Sequence, residues 1–411
     1  MKPPTTEVAP SSELDLTRRL IRKLERECPR RKSASPDERR AQELLAEEFS
    51  RRGLTIRWQT FRASRNLYAV LGLHQAVAVL GSIVLFWQPA VGAALLLFTG
   101  VSYLLDCHYV AFLLRGLLGY APSQNLLAEM PAVGQPRRRI VFWAHADAAP
   151  TGWMFHPLFL KLVLFFLPQR PAFLRKQILN WVVGSLVLIV LATIRTTSDW
   201  WWFPGIYFGL TLGSLTSLIL MLQIVVNDRI VPGANDNLSG CAALVLLADR
   251  LAGDRPSDVE YVFVVTGCEE SGRGGALALA REMRSEWPPE STTCIVLDSI
   301  SGGTLRYHHE GELWPLSPPP ALVEQLQLAA AGDERFEPLR PFHAPAGATD
   351  AAPLHLYGYR AVCLSRIDPV SDIPRNYHVP ADRSGNLDHA EIVATIDFTE
   401  RLVRNLVSKR V

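Results

Sequence analysis

The chain has 411 residues, 48% of them hydrophobic, and its 42 Lys and Arg nearly cancel 40 Asp and Glu to leave a net charge of +2. That length can bury a large core, and the near-neutral balance, without a long or regular basic run, excludes a phosphate-binding stripe for nucleic acid. The six cysteines (Cys28, Cys107, Cys241, Cys268, Cys294 and Cys363) lie far apart with no Cys-x-x-Cys pair, so neither a disulfide framework nor a thiolate zinc site is read from them.

The opening MKPPTTEVAPSSELDLTRRL has no apolar stretch after its charges and is not expected to be a cleavable signal peptide. SPDERRAQELLAEEFSRRG then carries a full set of helix signals: Ser35 to cap, Pro36 in the first turn, acids after it and Gly53 to stop. Leu54, Ile56 and Trp58 alternate with polar neighbours as a half-buried strand does. Between Arg65 and Asp106 there is no charged residue, enough for two bilayer crossings of about 20 residues each, turning at Gln88-Pro89. PLFLKLVLFFL, from Pro157, is too short to span and contains Lys161, so it reads as interfacial or re-entrant. Two further charge-free windows, 177–194 and 200–227, are separated by RTTSD and make a second hairpin.

After Asp228 short β-branched runs alternate with helical ones: YVFVVTG, GGALALAREMRSE, TCIVLDS, AVCLSRI and a closing helix LDHAEIVATIDFTERLVRNL. With RIVFWAHAD upstream, this predicts an α/β fold, a mostly parallel mixed sheet flanked by helices, carrying two inserted transmembrane hairpins and about four transmembrane helices. The expected division is 1–65 for the first helices and strand of the catalytic domain, 66–118 for the first hairpin and 119–156 for the first part of the core. Residues 157–227 would hold the interfacial segment and second hairpin, and 228–411 the rest of the core.

Chemistry concentrates just beyond strand ends, where α/β sheets build their sites. AHADAA places His145 two residues before Asp147, on one face of an extended segment, so that Asp147 could hold the second imidazole nitrogen. PGANDNLSG puts Asp236 and Asn237 at a helix start, where capping is the plain reading of either. YVFVVTGCEESG ends an apolar strand in Glu269 and Glu270, a pair that is costly to bury unless cations or protons compensate it. IVLDSISGG ends in Asp298, and NYHVPADR offers His378 in a loop. Two His and three carboxylates suffice for a pair of divalent ions sharing one bridge.

The order and local sequence of these segments resemble the aminopeptidase and glutamate-carboxypeptidase family of dizinc exopeptidases. Its pattern runs HxD, G-A-x-D-N-x-S-G, E-E-x-G, a strand ending in Asp, and Y/I-H-x-x-x-D; the likeness covers roughly 123–156 and 231–405. The resemblance implies two zinc ions per chain, one on His145 and Asp298, the other on Glu270 and His378, bridged by Asp236. It also implies Glu269 as general base and a peptide as substrate. Asp147 would support the His145 ring, Asp382 the His378 loop, and Tyr377 an oxyanion; Asp350 is the supporting acid, although Thr349-Asp350 replaces the family's usual Ser-Asp. About 70 mostly apolar residues interrupt the family's core between HxD and G-A-x-D-N, so the insertion must leave and return on one side.

The resemblance makes an aminopeptidase the first expectation, with a glutaminyl cyclase or carboxypeptidase of the same family as alternatives. A transporter or scaffold with a relict peptidase domain is the competing class, and the intact ligand set with Glu269 argues against it. His308-His309-Glu310 looks like a metal motif, but adjacent strand histidines face opposite ways, favouring a surface or substrate-side role. Ser239 is not in a nucleophile elbow. Arg62, Arg65, Arg115, Arg170, Arg175, Lys176 and Arg229 flank the spans on the catalytic side against Arg195 opposite. A multi-pass protein with its catalytic domain in the cytoplasm, in contact with the lipid bilayer and receiving hydrophobic peptides from it, is therefore expected.

Overall fold

A computed structural model describes residues 11–156, 158–159, 183–190, 203–253, 255–310, 316–344 and 347–408. Eight strands form one sheet: β1 Thr55–Ala63, β2 Ala121–Met130, β3 Arg138–His145, β4 Val259–Thr266, β5 Thr292–Leu297, β6 Thr304–His309, β7 Arg340–His343 and β8 Arg360–Ile367. Their order is β1-β2-β4-β3-β5-β8-β6-β7. The central β4, β3, β5 and β8 run parallel, whereas β1 and β2 join antiparallel and β6 is antiparallel to β8, so the sheet is parallel at its centre and mixed toward its edges.

The central strands are near-continuous apolar runs because both faces are covered. Alternate residues divide cleanly. Phe142, Ala144, Phe263 and Val265 face helices α1 (Ser11–Glu27), α2 (Pro36–Arg51), α6 (Gly240–Ala252) and α10 (His389–Ser408). Val141, Trp143, Val262 and Val264 face α7 (Gly274–Glu282) and α9 (Ala351–Leu356). Between α6 and α10 in sequence also lies α8 (Pro320–Ala330), on the first face. The start of α2 follows its signals: the Ser35 hydroxyl accepts from the Glu38 amide at 3.3 Å, and Gly53 after the helix has φ +76°. On β1 the alternation reading fails at Trp58, which is 41% exposed, while Gln59 is buried. β1 is an edge strand, and Gln59 is drawn inward by bonds to Glu282 and Asn125.

Among the described residues, three helices are long and apolar enough to cross a membrane: α3 (Leu67–Leu85), α4 (Pro89–Cys107) and, over Gly205–Asn227, α5 (Phe203–Asn227). Of the window 177–194 only 183–190 is described, as helix, and most of the PLFLKLVLFFL segment lies outside the described residues, as do Arg170, Arg175, Lys176 and Arg195. α3 and α4 form a tight hairpin because Gly92 lies against Leu85, where an added Cβ would come within 2.3 Å of backbone. His74 ties the legs together through the Val70 carbonyl and the Ser102 hydroxyl. Large apolar side chains of these helices point outward, among them Trp87, Leu97, Phe208 and Leu212.

Arg115, just beyond α4, is not a solvated cation. It is buried in an ion pair with Asp106 at the end of α4 and donates to the Ser271 carbonyl at 3.2 Å. The hairpin is thereby clamped to the turn that follows Glu269 and Glu270.

Candidate metal centre

The carboxyl ends of β3, β4 and β5 deliver His145, Glu269 with Glu270, and Asp298 to one point. The segment 234–239 before α6 adds Asp236, and the loop around 376–382 adds His378. Asp236 lies between the imidazoles: its Oδ1 is 3.1 Å from His145 Nε2 and its Oδ2 3.4 Å from His378 Nε2. Asp298 Oδ2 is 3.9 Å from His145 Nε2, and Glu270 Oε2 is 3.5 Å from His378 Nε2. Two triads result, His145–Asp236–Asp298 and Asp236–Glu270–His378, sharing one carboxylate.

A network beneath the ligands sets their positions. The Asp147 carboxylate accepts from the Glu269 and Glu270 amides, each at 3.1 Å, and from the Ser33 hydroxyl at 2.6 Å. It therefore shapes the Glu-Glu turn more than the His145 ring. The ring's Nδ1 meets the Asp147 main-chain carbonyl at 3.1 Å, with the carboxylate farther at 3.5 Å. A carbonyl only accepts, so Nδ1 carries a proton, and Nε2 is the nitrogen that a bound cation would take.

Asp382 acts on two segments at once. Its carboxylate accepts from the Asn235 amide at 2.6 Å and the Asp236 amide at 3.1 Å, so it ties the His378 loop, to which it belongs, to the backbone of Asp236. Asn237 does the capping: its Oδ1 accepts from the Gly240 amide and its Nδ2 donates to the Leu297 carbonyl, which frees Asp236 to turn inward. Replacing Asp382 with Ala should leave two buried amides unpaired and lower metal affinity about 10- to 100-fold, the usual cost of losing an outer-shell partner. Competition with a chelator measures this; unchanged affinity would remove Asp382 from the support network.

Several contributors escaped the sequence reading. Glu38, read as a first-turn acid of α2, is buried and accepts from the Cys268 amide at 2.7 Å and from the Ser123 hydroxyl. Cys268, Ser299 and His378 adopt left-handed backbone with φ of 58°, 55° and 56° beside or at the ligands, held there by such contacts. Phe155 packs its ring 4.8 Å from His378, and Tyr377 stacks on His378 at 3.8 Å. Asp350 is buried below the centre and accepts from the Thr266 hydroxyl at 2.5 Å.

The electrostatics call for cations or protons. Burial pushes Glu269 and Glu270 well above the usual carboxylate range, with the Asp236 charge adding to the effect on Glu270. Burial and Asp236 push Asp298 up to about 7, and burial pushes Asp350 up to about 6. Burial also opposes ionisation of Asp236, but the two imidazoles outweigh it and hold this carboxyl low. Glu270 Oε1 has no hydrogen-bond partner among the described residues. The donor set, imidazole nitrogen and carboxylate oxygen, suits zinc, and tetrahedral zinc with ligands near 2.0 Å spaces its donors about 3.3 Å apart, close to the observed separations. The residues present fit two such ions.

Residues 223–403 match the model of Peptidase family M28. The matched region contains Asp236, Glu269, Glu270, Asp298, His378 and Asp382, while His145 and Asp147 precede it. No curated protein matches the chain in sequence. Among solved structures the chain is similar to an aminopeptidase from Aneurinibacillus sp. strain AM-1, with a TM-score of 0.55 at 13% identity, over 95% of this chain and 93% of that one. A zinc aminopeptidase from Bacillus subtilis aligns with TM-score 0.56 at 14% identity, over 97% and 96%. A glutaminyl cyclase from Bacteroides thetaiotaomicron aligns with 0.57 at 12% identity, over 97% and 99%. At such identities the likeness establishes the fold, an eight-stranded mixed α/β sheet of the zinc-peptidase kind.

Proposed function

We propose that this chain is a dizinc aminopeptidase of the M28 kind, inserted in a membrane with its catalytic domain on the cytoplasmic side. The observation that carries the reading is Asp236, which presents one carboxylate oxygen to each of two histidines. His145 and Asp298 would hold one zinc ion and Glu270 and His378 the other. Bound there, the ions would polarise the scissile carbonyl and acidify the attacking water. Glu269, outside both triads that share Asp236, takes the proton from that water and hands it to the leaving amine. Tyr377 is placed against His378 to donate a hydrogen bond to the carbonyl oxygen as charge develops; burial and the Asp236 charge push its hydroxyl up, so it stays protonated.

Three apolar helices and their outward side chains support the membrane reading, and Arg62, Arg65 and Arg229 at the catalytic end support the orientation. Tyr68 of α3 and Met221 and Ile224 of α5 pack with Phe155 and Tyr377 beside the centre, which favours hydrophobic peptides arriving from the lipid. A glutaminyl cyclase is the second reading, favoured by the cyclases among the structural neighbours.

The full chain, purified from carbonate-washed membranes, should contain about two zinc ions. It should release para-nitroaniline from aminoacyl-para-nitroanilides and leave amino-blocked peptides intact. Ammonia release from peptides beginning with glutamine, without anilide cleavage, would replace this reading with the cyclase. A chain that lacks zinc and both activities would end both readings, and recovery only in the soluble fraction would end the membrane assignment.

A further inference from the structure

The His308-His309-Glu310 motif takes no part in the centre above, and the two histidines divide as neighbours on a strand must. His309 is half-exposed, with its Nδ1 near the Ser317 hydroxyl and its ring against His343. His308 points the other way and is 5% exposed. Two residues on, Glu310 shares that inner face at 2% exposure. β6 runs antiparallel to β8 with Tyr307 opposite Leu364, so the next step along the ladder brings His308 to Cys363, which is fully buried.

The three side chains meet. A ring nitrogen of His308, the Sγ of Cys363 and a carboxylate oxygen of Glu310 all lie within 4.8 Å of one another, and His308 Nδ1 is 3.6 Å from Glu310 Oε1. Neither ring nitrogen of His308 has a hydrogen-bond partner among the described residues, an arrangement that is costly for a buried polar group unless a ligand takes the place of water. Glu310 is oriented from behind, since Thr349 donates to it through its amide at 3.0 Å and through its hydroxyl at 2.5 Å. Metal-binding carboxylates are characteristically supported in this way.

We propose that His308, Glu310 and Cys363 form a third, mononuclear metal site of the zinc class, separate from the dinuclear centre. A thiolate, an imidazole and a carboxylate select a borderline divalent ion, and three protein ligands leave a fourth position open to water or to another side chain. His355 on α9 is a candidate by chemistry, since its Nε2 also has no hydrogen-bond partner among the described residues. An ion here would join β6 to β8. Through Thr349 it would also fix the turn that presents Asp350 below His145.

Cobalt(II) is the probe, because a cobalt-thiolate bond gives a charge-transfer absorption that imidazole and carboxylate ligands lack. The dinuclear centre contains no cysteine ligand, so the two kinds of site separate spectroscopically. The metal-stripped full-length protein should take up about three cobalt ions and show the thiolate band. Cys363→Ser and His308→Asn should each lose the band and about one ion. Asp236→Ala should keep the band while its uptake falls, and Cys268→Ser should keep it as well. Absence of the band in the unaltered protein, or its survival in Cys363→Ser, would overturn the third site whatever becomes of the dinuclear one. The measurement on the unaltered protein holds even if a variant fails to fold.

Discussion

Replacing Glu269 with Gln will lower kcat about 10²- to 10⁴-fold, the range that general-base catalysis contributes, while zinc content and KM stay near those of the unaltered enzyme. The substitution keeps size and hydrogen-bonding capacity and removes only the ability to take a proton. Glu269 is 8% exposed, and its amide is pinned to Asp147, so its side chain has little freedom to move elsewhere. It also falls in a possible grouping with His145 and Glu270, which makes metal content the deciding measurement. Loss of zinc in Glu269→Gln would make this residue a ligand, and a kcat close to that of the unaltered enzyme would remove it from the chemistry.

The candidate ligands are legible in the sequence because each stands where an apolar run stops. A buried strand that ends in carboxylates or an imidazole is expensive without a cation, and His145, Glu270 and Asp298 each lie at or just past such an end. Their convergence requires only that β3, β4 and β5 be parallel neighbours, which the alternation of strands and helices implies. The residues that hold the ligands in place are less legible, since their roles depend on contacts across the fold. Glu38 meets Cys268 across 230 positions, and nothing near either residue announces the bond. Asp382 stands four residues after His378, a spacing that suggests a pair, but the intervening turn sends its carboxylate across to Asn235 and Asp236. Nothing near Arg115 in sequence announces that it is buried between Asp106 and the Ser271 carbonyl. A mixed sheet is legible in the sequence, but not which of its strands run antiparallel, because strand direction at an edge follows from how connections cross and not from residue pattern.

Asp236→Ala should be the most damaging single change to metal binding. Each triad counts the same carboxylate, so its removal leaves His145 with Asp298 on one side and Glu270 with His378 on the other. Neither pair reaches the three protein ligands that a catalytic zinc site normally has. Zinc should fall from about two ions toward none after dialysis against a mild chelator, and turnover should vanish with it. Stability gives a second readout. The unaltered protein should gain about 2.7 kcal/mol when free zinc is 100 times its dissociation constant, since ligand binds the folded state, and the variant should gain almost nothing in the same titration. Asp236→Asn is the informative companion, because it retains one carbonyl oxygen and so can complete one triad but not both. One ion bound by Asn and none by Ala would mean that the two carboxylate oxygens serve different ions. Two ions retained by Asp236→Ala would break the bridging assignment, and with it the reason for the two imidazoles to stand on opposite sides of a single carboxylate.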